Sequence, residues 1–250
     1  MGLLMLGLGA MPALAIPEAE AIRKLAAVAV YVVVDPEGWP ALYPESPDRL
    51  VLPMFMKAEQ AQQARRTLEE RQDTEGSRVV PMSLDIAFEL NKNLRQAIPV
   101  HKSLIMQLEP AQEDWEKAKE IRLAEGIDQG EIDRNLKVPV FFTNPSITFT
   151  PPGTEEAKVA FFFNYSQLQQ AKQAVPDSNL DSEDKVMDLF LLIDLMIQDE
   201  EDKYFLSPTE DWLKIIQAQQ EQQSSPSQAQ PSQDQQDVQE PDQQEAQQTP

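Results

Sequence analysis

Cysteine is absent from all 250 residues, so disulfides and thiolate metal sites are ruled out and the fold must stand on packing alone. Histidine occurs once, as His101 after Pro99-Val100. A single loop imidazole with no serine elbow, zinc spacing or metalloprotease motif nearby reads as solvated surface. The 8 glycines never group into a phosphate-cradling loop. Positive charge is also scarce: 21 Lys and Arg stand against 42 Asp and Glu, a formal net charge of −21. That balance argues against nucleic-acid or anionic-membrane partners, which need clustered cations to replace counterions, and its first meaning is solubility. The acidic clusters Asp181-Ser182-Glu183-Asp184 and Asp199-Glu200-Glu201-Asp202 lack the Asp-x-Asp-x-Asp-Gly loop of a calcium site and read as charged turns.

What is present begins with an uncharged apolar segment. Residues 1–15 are mostly Leu, Met, Gly and Ala and end in Ala13-Leu14-Ala15, the small-x-small form of a signal-peptidase site. They are too few to span a bilayer, which takes about 20 helical residues, and they lack the Ser and Arg of a plastid transit peptide. The expectation is a secretory signal and a bacterial envelope compartment, although no Lys or Arg opens the segment. At the other end, residues 217–250 turn to Gln, Ser, Pro and Asp with no Lys or Arg. Such a segment cannot offset its own ordering entropy and is expected to be disordered.

Between them the chain repeats itself. Val28-Ala29-Val30-Tyr31-Val32 answers to Val138-Pro139-Val140-Phe141-Phe142 at an offset of 110. Met54-Phe55-Met56 with its following Gln60-Ala61-Gln62-Gln63-Ala64 answers to Phe161-Phe162-Phe163 with Gln167-Leu168-Gln169-Gln170-Ala171, at 107. Met82-Ser83-Leu84 answers to Met187-Asp188-Leu189 at 105, and Pro110 and Trp115 answer to Pro208 and Trp212. The order is constant and the offset only shrinks, as a few loop deletions would make it. The predicted organisation is a signal at 1–15, a first half at 16–126, a second half at 127–216 and a tail at 217–250. The fold class is α/β (α+β), internally duplicated.

Each half carries the same predicted elements. A short helix (18–26; 131–136) leads into a buried strand, then a turn (Asp35-Pro36-Glu37-Gly38; Thr143-Asn144-Pro145) and a second strand (41–43; 146–150), so each half is expected to open with a hairpin. A third strand (51–56; 159–163) feeds a Gln-rich helix, whose second copy is predicted to start on a Ser166–Gln169 capping box. A fourth strand at 79–84 runs into a helix, and its counterpart 186–197 is read as one half-buried helix. Strands at 104–108 and 204–206 precede Trp-bearing helices, the second capped at Ser207 with Pro208 and Thr209-Glu210 following.

The chemistry in this pattern is apolar. Tyr31, Met54, Phe55 and Met56 in one half, with Phe141, Phe142, Phe149, Phe161, Phe162 and Phe163 in the other, put large side chains on both faces of the predicted strands. Two readings fit: a two-layer core, or a face left partly open as a groove where Met and Phe accept varied apolar segments. No catalytic, cofactor-binding or metal-binding residue is identified.

The run 25–34, Pro53-Met54-Phe55-Met56 with its Gln/Ala helix, Val80-Pro81-Met82-Ser83-Leu84 into Asp85, and Val138-Pro139-Val140-Phe141 resemble the Tic22-type family. That family comprises the soluble intermembrane-space component of the plastid protein-import translocon and its cyanobacterial periplasmic relatives. The resemblance covers roughly 17–215; the tail and an insertion near 96–103 lie outside it. It implies two halves related by a pseudo-twofold axis, a central sheet flanked by grooves, and no enzymatic activity. It further implies a chaperone-like role in protein transport and outer-membrane biogenesis in a cyanobacterial periplasm, with outer-membrane precursors as clients and Omp85-type assembly machinery as partner. A passive structural adaptor that bridges envelope complexes without holding unfolded clients is the alternative, and a hydrolase built on paired carboxylates stands behind both.

Overall fold

The computed structural model describes residues 17–70, 75–175, 182–199 and 201–224; the predicted signal and most of the predicted tail lie outside them. The elements run α1 (Glu18–Arg23), a 3₁₀ turn (Lys24–Ala27), β1 (Ala29–Val34), β2 (Tyr43–Ser46), β3 (Arg49–Phe55), α2 (Ala58–Glu69), β4 (Arg78–Ser83), α3 (Leu84–Ala97), β5 (Ser103–Glu109) and α4 (Gln112–Ala124). They continue as α5 (Gln129–Asn135), β6 (Pro139–Asn144), β7 (Thr148–Phe149), β8 (Lys158–Phe161), α6 (Tyr165–Ala174), β9 (Glu183–Asp188), α7 (Leu189–Gln198), β10 (Tyr204–Leu206) and α8 (Glu210–Ser224).

In the first sheet β1 pairs antiparallel with β3 and β4, β2 with β3, and β5 lies parallel to β3. The second half holds a three-stranded sheet, with β7 antiparallel and β10 parallel to β8, and a two-stranded antiparallel sheet of β6 and β9; a single bridge, Phe141 to Phe162 just past β8, joins them, and the two are taken together below as the second sheet. Chain order and pairing order therefore run alike in the two halves. Strand β1, an alanine followed by valines and a tyrosine, is buried at every position, as a strand covered on both faces must be.

Two cores result. The larger lies between the sheets and joins Val30, Val32, Leu52 and Met54 to Val140, Phe161, Phe163, Leu192 and Met196. The smaller packs Phe141, Phe162 and Val186 of the second sheet against Leu168 of α6 and Ala118 of α4. Helix α4, encoded in the first half, thus covers the sheet of the second. Its Asp114, 5% exposed, caps α6 from outside: Oδ1 accepts from Tyr165 N (2.8 Å) and Oδ2 from Asn164 Nδ2 (2.9 Å). The exchange is returned by α8. Thr209 Oγ1 accepts from Ala29 N (3.0 Å) of β1 as well as from Trp212 N (3.3 Å) in its own helix, and Thr209 N donates to Ala27 O (3.0 Å). The Tyr31 hydroxyl of β1 feels the carboxylate of Asp211 in α8: its pKa is pushed up to about 12 by burial first and then by Asp211 and Glu59.

Several expectations change. The opening hairpin is β2–β3, not β1–β2; the chain leaves β1 through the Asp35–Gly38 turn, with Gly38 at φ +93°, and touches it again only at the Val34–Pro40 bridge. The Ser166 capping box does not form: the helix starts two residues earlier, with Asn164 at the N-cap and Asp114 satisfying Tyr165 N, and Gln169 turns to Asp184 (2.9 Å). Residues 186–188 are strand, paired to β6, and the helix begins at Leu189, where Asp188 caps Phe190 N (2.9 Å). Helix α8 is capped by Thr209 rather than Ser207 and runs through Gln217 to Ser224 instead of ending before the tail. Its Gln and Glu are good helix formers, and Gln217 bonds Glu221 one turn on (3.1 Å).

Two outcomes follow from the exchanged helices. Thr209→Val keeps the shape but strands the buried Ala29 N–H and removes a cap, so a loss of about 2 kcal/mol in urea unfolding is expected, against about 0.5 kcal/mol or less for Thr154→Val on an exposed turn. Tyr31 binds its proton more tightly folded than unfolded, so its contribution is complete below pH 10 and is lost as pH rises toward 12. Tyr31→Phe should therefore flatten the alkaline limb of a stability–pH profile in that window and leave the limb below pH 9 parallel to wild type.

Candidate functional site

Two troughs meet on the flank of the first sheet. One, of ≈ 710 Å³, runs beside residues 105–109 of β5 and the following Pro110 and is walled by Trp115 of α4, by Asp133, Leu136 and Lys137 at the end of α5, and by Phe190 of α7. The other, of ≈ 1060 Å³, lies among α1, α3 and α7 and is lined by Ile22, Ile86, Phe88, Lys92, Arg95 and Phe190 among others. Ile105, Met106 and Phe190 belong to both.

The helix that borders both troughs explains their apolar wall. Helix α7 reads Leu-Phe-Leu-Leu-Ile-Asp-Leu-Met-Ile-Gln, apolar nearly all round, a composition that normally marks a fully buried helix. Only one face is buried, through Leu189, Leu192, Ile193 and Met196 in the core between the sheets. Leu191 is 53% exposed, and Phe190 and Leu195 also face water. Phe190 meets Phe88 of α3 edge-on with ring centroids 6.4 Å apart, and Ile86 on α3 is 56% exposed. Ile105, 38% exposed, completes a contiguous apolar surface from α3 across β5 to α7.

The ten residues named from sequence lie elsewhere. Tyr31, Met54, Phe141, Phe161, Phe162 and Phe163 are buried in the cores, where they cannot form an open wall. Phe55, Met56 and Phe142 are half-buried. Phe55 lines a shallow depression with Tyr43 and Pro53, and Phe142 packs on Phe161 at 5.4 Å between centroids. Phe149 is exposed at the edge of the second sheet and stacks on Phe205 at 4.3 Å. None of the ten lines either trough. The residues that do were passed over because their elements read as ordinary amphipathic pieces; the available signal was the apolar outer face of α7.

The ionisable groups with displaced pKa values serve the scaffold. Burial raises Asp114 above the usual carboxylate range against the pull of its Tyr165 and Asn164 donors. Burial also works to raise Asp184, but the Lys172 ammonium (2.8 Å), the Tyr165 hydroxyl (2.7 Å) and Gln169 together hold it below its ordinary value. Lys24 is brought down to about 8, first by burial and then by the nearby Lys158; its ammonium pairs with Asp202 and donates to Tyr204 O (3.2 Å). Asp114, Asp184 and Asp199, the carboxylates with displaced values, line neither trough. Among the described residues no group of three or more His, Cys, Asp or Glu is placed to hold a metal ion, and no helix is long and apolar enough to cross a membrane. The single His101 is exposed in the turn before β5. What the site offers chemically is apolar contact and main-chain hydrogen bonding.

No protein-family sequence model and no curated sequence matches the chain. Solved structures do. Anabaena Tic22, described as a protein-transport protein, superposes with a TM-score of 0.66 at 17% identity, over 81% of this chain and 97% of that one. Tic22 from Plasmodium falciparum gives a TM-score of 0.62 at 16% identity, over 80% and 98%. The chain has the Tic22-type fold.

Proposed function

We propose that this protein is a non-enzymatic, chaperone-like factor of protein transport in an envelope compartment, the periplasm of a cyanobacterium, that holds apolar segments of outer-membrane precursors and delivers them to Omp85-type assembly machinery. The carrying observation is the open apolar wall formed by Ile86, Ile105 and Phe190. An exposed patch rimmed by polar groups marks an interaction site on a soluble protein, and these troughs are rimmed by Glu18, Lys92, Arg95, Asp133 and Lys137. The fold shared with Tic22 structures and the protein-transport description of the Anabaena protein support the same reading. Client holding is favoured over passive adaptation because the wall is concave and apolar, whereas adaptors bind through flatter surfaces of average polarity.

The reading includes an origin by internal duplication with a pseudo-twofold relation. It is supported by the matched pairing order and by a detail no packing rule requires. Gln60 Nε2 donates to Pro110 O (3.0 Å), and its counterpart Gln167 Nε2 donates to Pro208 O (2.9 Å). In both the amide oxygen is buried without a donor.

The test is suppression of aggregation of a urea-unfolded outer-membrane barrel protein, followed by light scattering. Wild type should suppress it at stoichiometric ratios. Ile86→Asp alters an outward position of the wall, 56% exposed, so it should lose at least about threefold in potency with a thermal midpoint within about 3 °C of wild type. Wild type that leaves scattering unchanged yet binds folded assembly domains would favour the adaptor instead.

A further inference from the structure

Natural sheets protect their edges with proline, charge, bulges or brevity. Here β4 carries Pro81 and Arg78, and β2 carries Pro44 and a register shift. Strand β9 opens on Glu183, Asp184 and Lys185, and β7 and β10 are two and three residues long. Strand β5 has no proline and no bulge, and its one charge, Glu109, is its last residue. It is seven residues, Ser-Leu-Ile-Met-Gln-Leu-Glu, paired on one side only, to β3.

Its free side can be assigned group by group. Ser103 N donates to Asp48 O (2.8 Å) and Glu109 O accepts from Met56 N (2.9 Å), both toward β3. Odd-numbered positions of β5 therefore address β3 in the regular parallel register, and the alternation of a strand turns the N–H and C=O of Leu104, Met106 and Leu108 to the other side. Among the described residues none of these groups has a partner, and of the three residues Met106 and Leu108 line the ≈ 710 Å³ trough, whereas Leu104 is buried outside it. Unpaired main-chain groups thus share one channel with the apolar side chains of Trp115, Leu136 and Phe190. The trough carries two carboxylates, Glu109 and Asp133, against one ammonium, Lys137, on a chain of net charge −21.

We propose that β5 is a strand-addition site: one extended segment of an unfolded polypeptide, alternating apolar and polar and flanked by basic residues, pairs with the free edge of β5. Main-chain bonds to Met106 and Leu108 supply sequence-tolerant affinity, and every second side chain is buried against the trough wall. A folded second copy is the poorer occupant, because its own edge would have to enter between α4, α5 and α7, whereas a single extended chain enters without displacing them. This inference rests on the client-holding reading and names its binding mode.

The test uses the ¹⁵N-labelled full chain and a nonapeptide, Lys-Val-Thr-Phe-Thr-Val-Thr-Phe-Lys, read by amide hydrogen exchange. On peptide addition, exchange at Met106 and Leu108 should slow by at least about tenfold while Ile105 and Gln107, already paired to β3, stay unchanged. The same peptide N-methylated at every internal residue, which blocks both of its edges, should give no protection, and Met106→Pro, which removes an outward N–H and no ladder bond, should abolish binding. Binding that leaves those two amides unchanged overturns strand addition but not client holding. So does suppression of barrel-protein aggregation without peptide binding. Slow exchange at the two amides before peptide is added, with a dimer in sedimentation, overturns it in favour of self-pairing. Loss of both peptide binding and aggregation suppression removes strand addition and client holding together.

Discussion

The structure depends on the core shared between the two sheets. Val30, Val32, Leu52 and Met54 on one side meet Val140, Phe161, Phe163 and Met196 on the other, all buried, so neither sheet has a complete core of its own. With no disulfide available, this contact is what holds the halves together. The exchanged helices follow from it. Once the inner faces are spent on each other, each sheet needs cover for its outer face. The second receives α4 and α6, while the first receives α2 and the start of α8 at Thr209 and Asp211. The polar bonds at these crossings are few, but they are buried, and breaking one strands a donor or a carboxylate away from water. Their role is to fix which helix lies on which sheet, a choice that apolar burial alone leaves nearly degenerate.

The same constraint produces the troughs. Helices α3 and α7 follow β4 and β9 directly, with Leu84 N bonded to Val28 O (2.8 Å) and Leu189 N to Val138 O (2.9 Å). Those bonds bring both helices to the seam between the sheets, where one face of each fills the shared core. Nothing in the described chain remains to cover the second apolar face of α7. An apolar surface beside an unpaired strand edge is therefore the consequence of using both inner sheet faces for a single core.

How much of this was legible follows from periodicity. Strands β1, β3 and β4 and helices α2 and α4 were readable because β-branched or 3.6-residue patterns of good length mark them. The pairing of β2 was not: a four-residue strand containing Pro44 carries almost no pattern, and its partner was decided by Pro53 of β3. That proline lacks the N–H a neighbour needs and sits between the β2 contact at Arg49–Val51 and the β1 contact at Phe55. The Ser166 capping box failed because Asp114, 51 positions away from Tyr165, bonds the Tyr165 N–H and starts the helix ahead of Ser166, while Asp184 takes the Gln169 side chain. The ten aromatic and Met positions were correctly seen as large and apolar, but continuous apolar strands mean burial on both faces. The open surface belongs instead to a helix whose composition promises burial that the fold does not provide.

An exposed apolar wall and an unprotected strand edge are ordinarily hazards, since both invite self-association. Two properties of this chain counter that. The net charge of −21 makes copies repel at a distance. And the edge of β5 is recessed: α4 and α7 stand over it on either side, with Trp115, Leu136 and Phe190 at the walls. Recession filters by conformation. A folded neighbour presents its edge strand embedded in a sheet too wide to enter, while an unfolded segment presents a single strand that fits. An edge left bare on an open surface would pair with any sheet, and an edge blunted by proline or lysine would pair with none. A bare edge at the floor of an apolar channel discriminates unfolded chains from folded ones without reading their sequence.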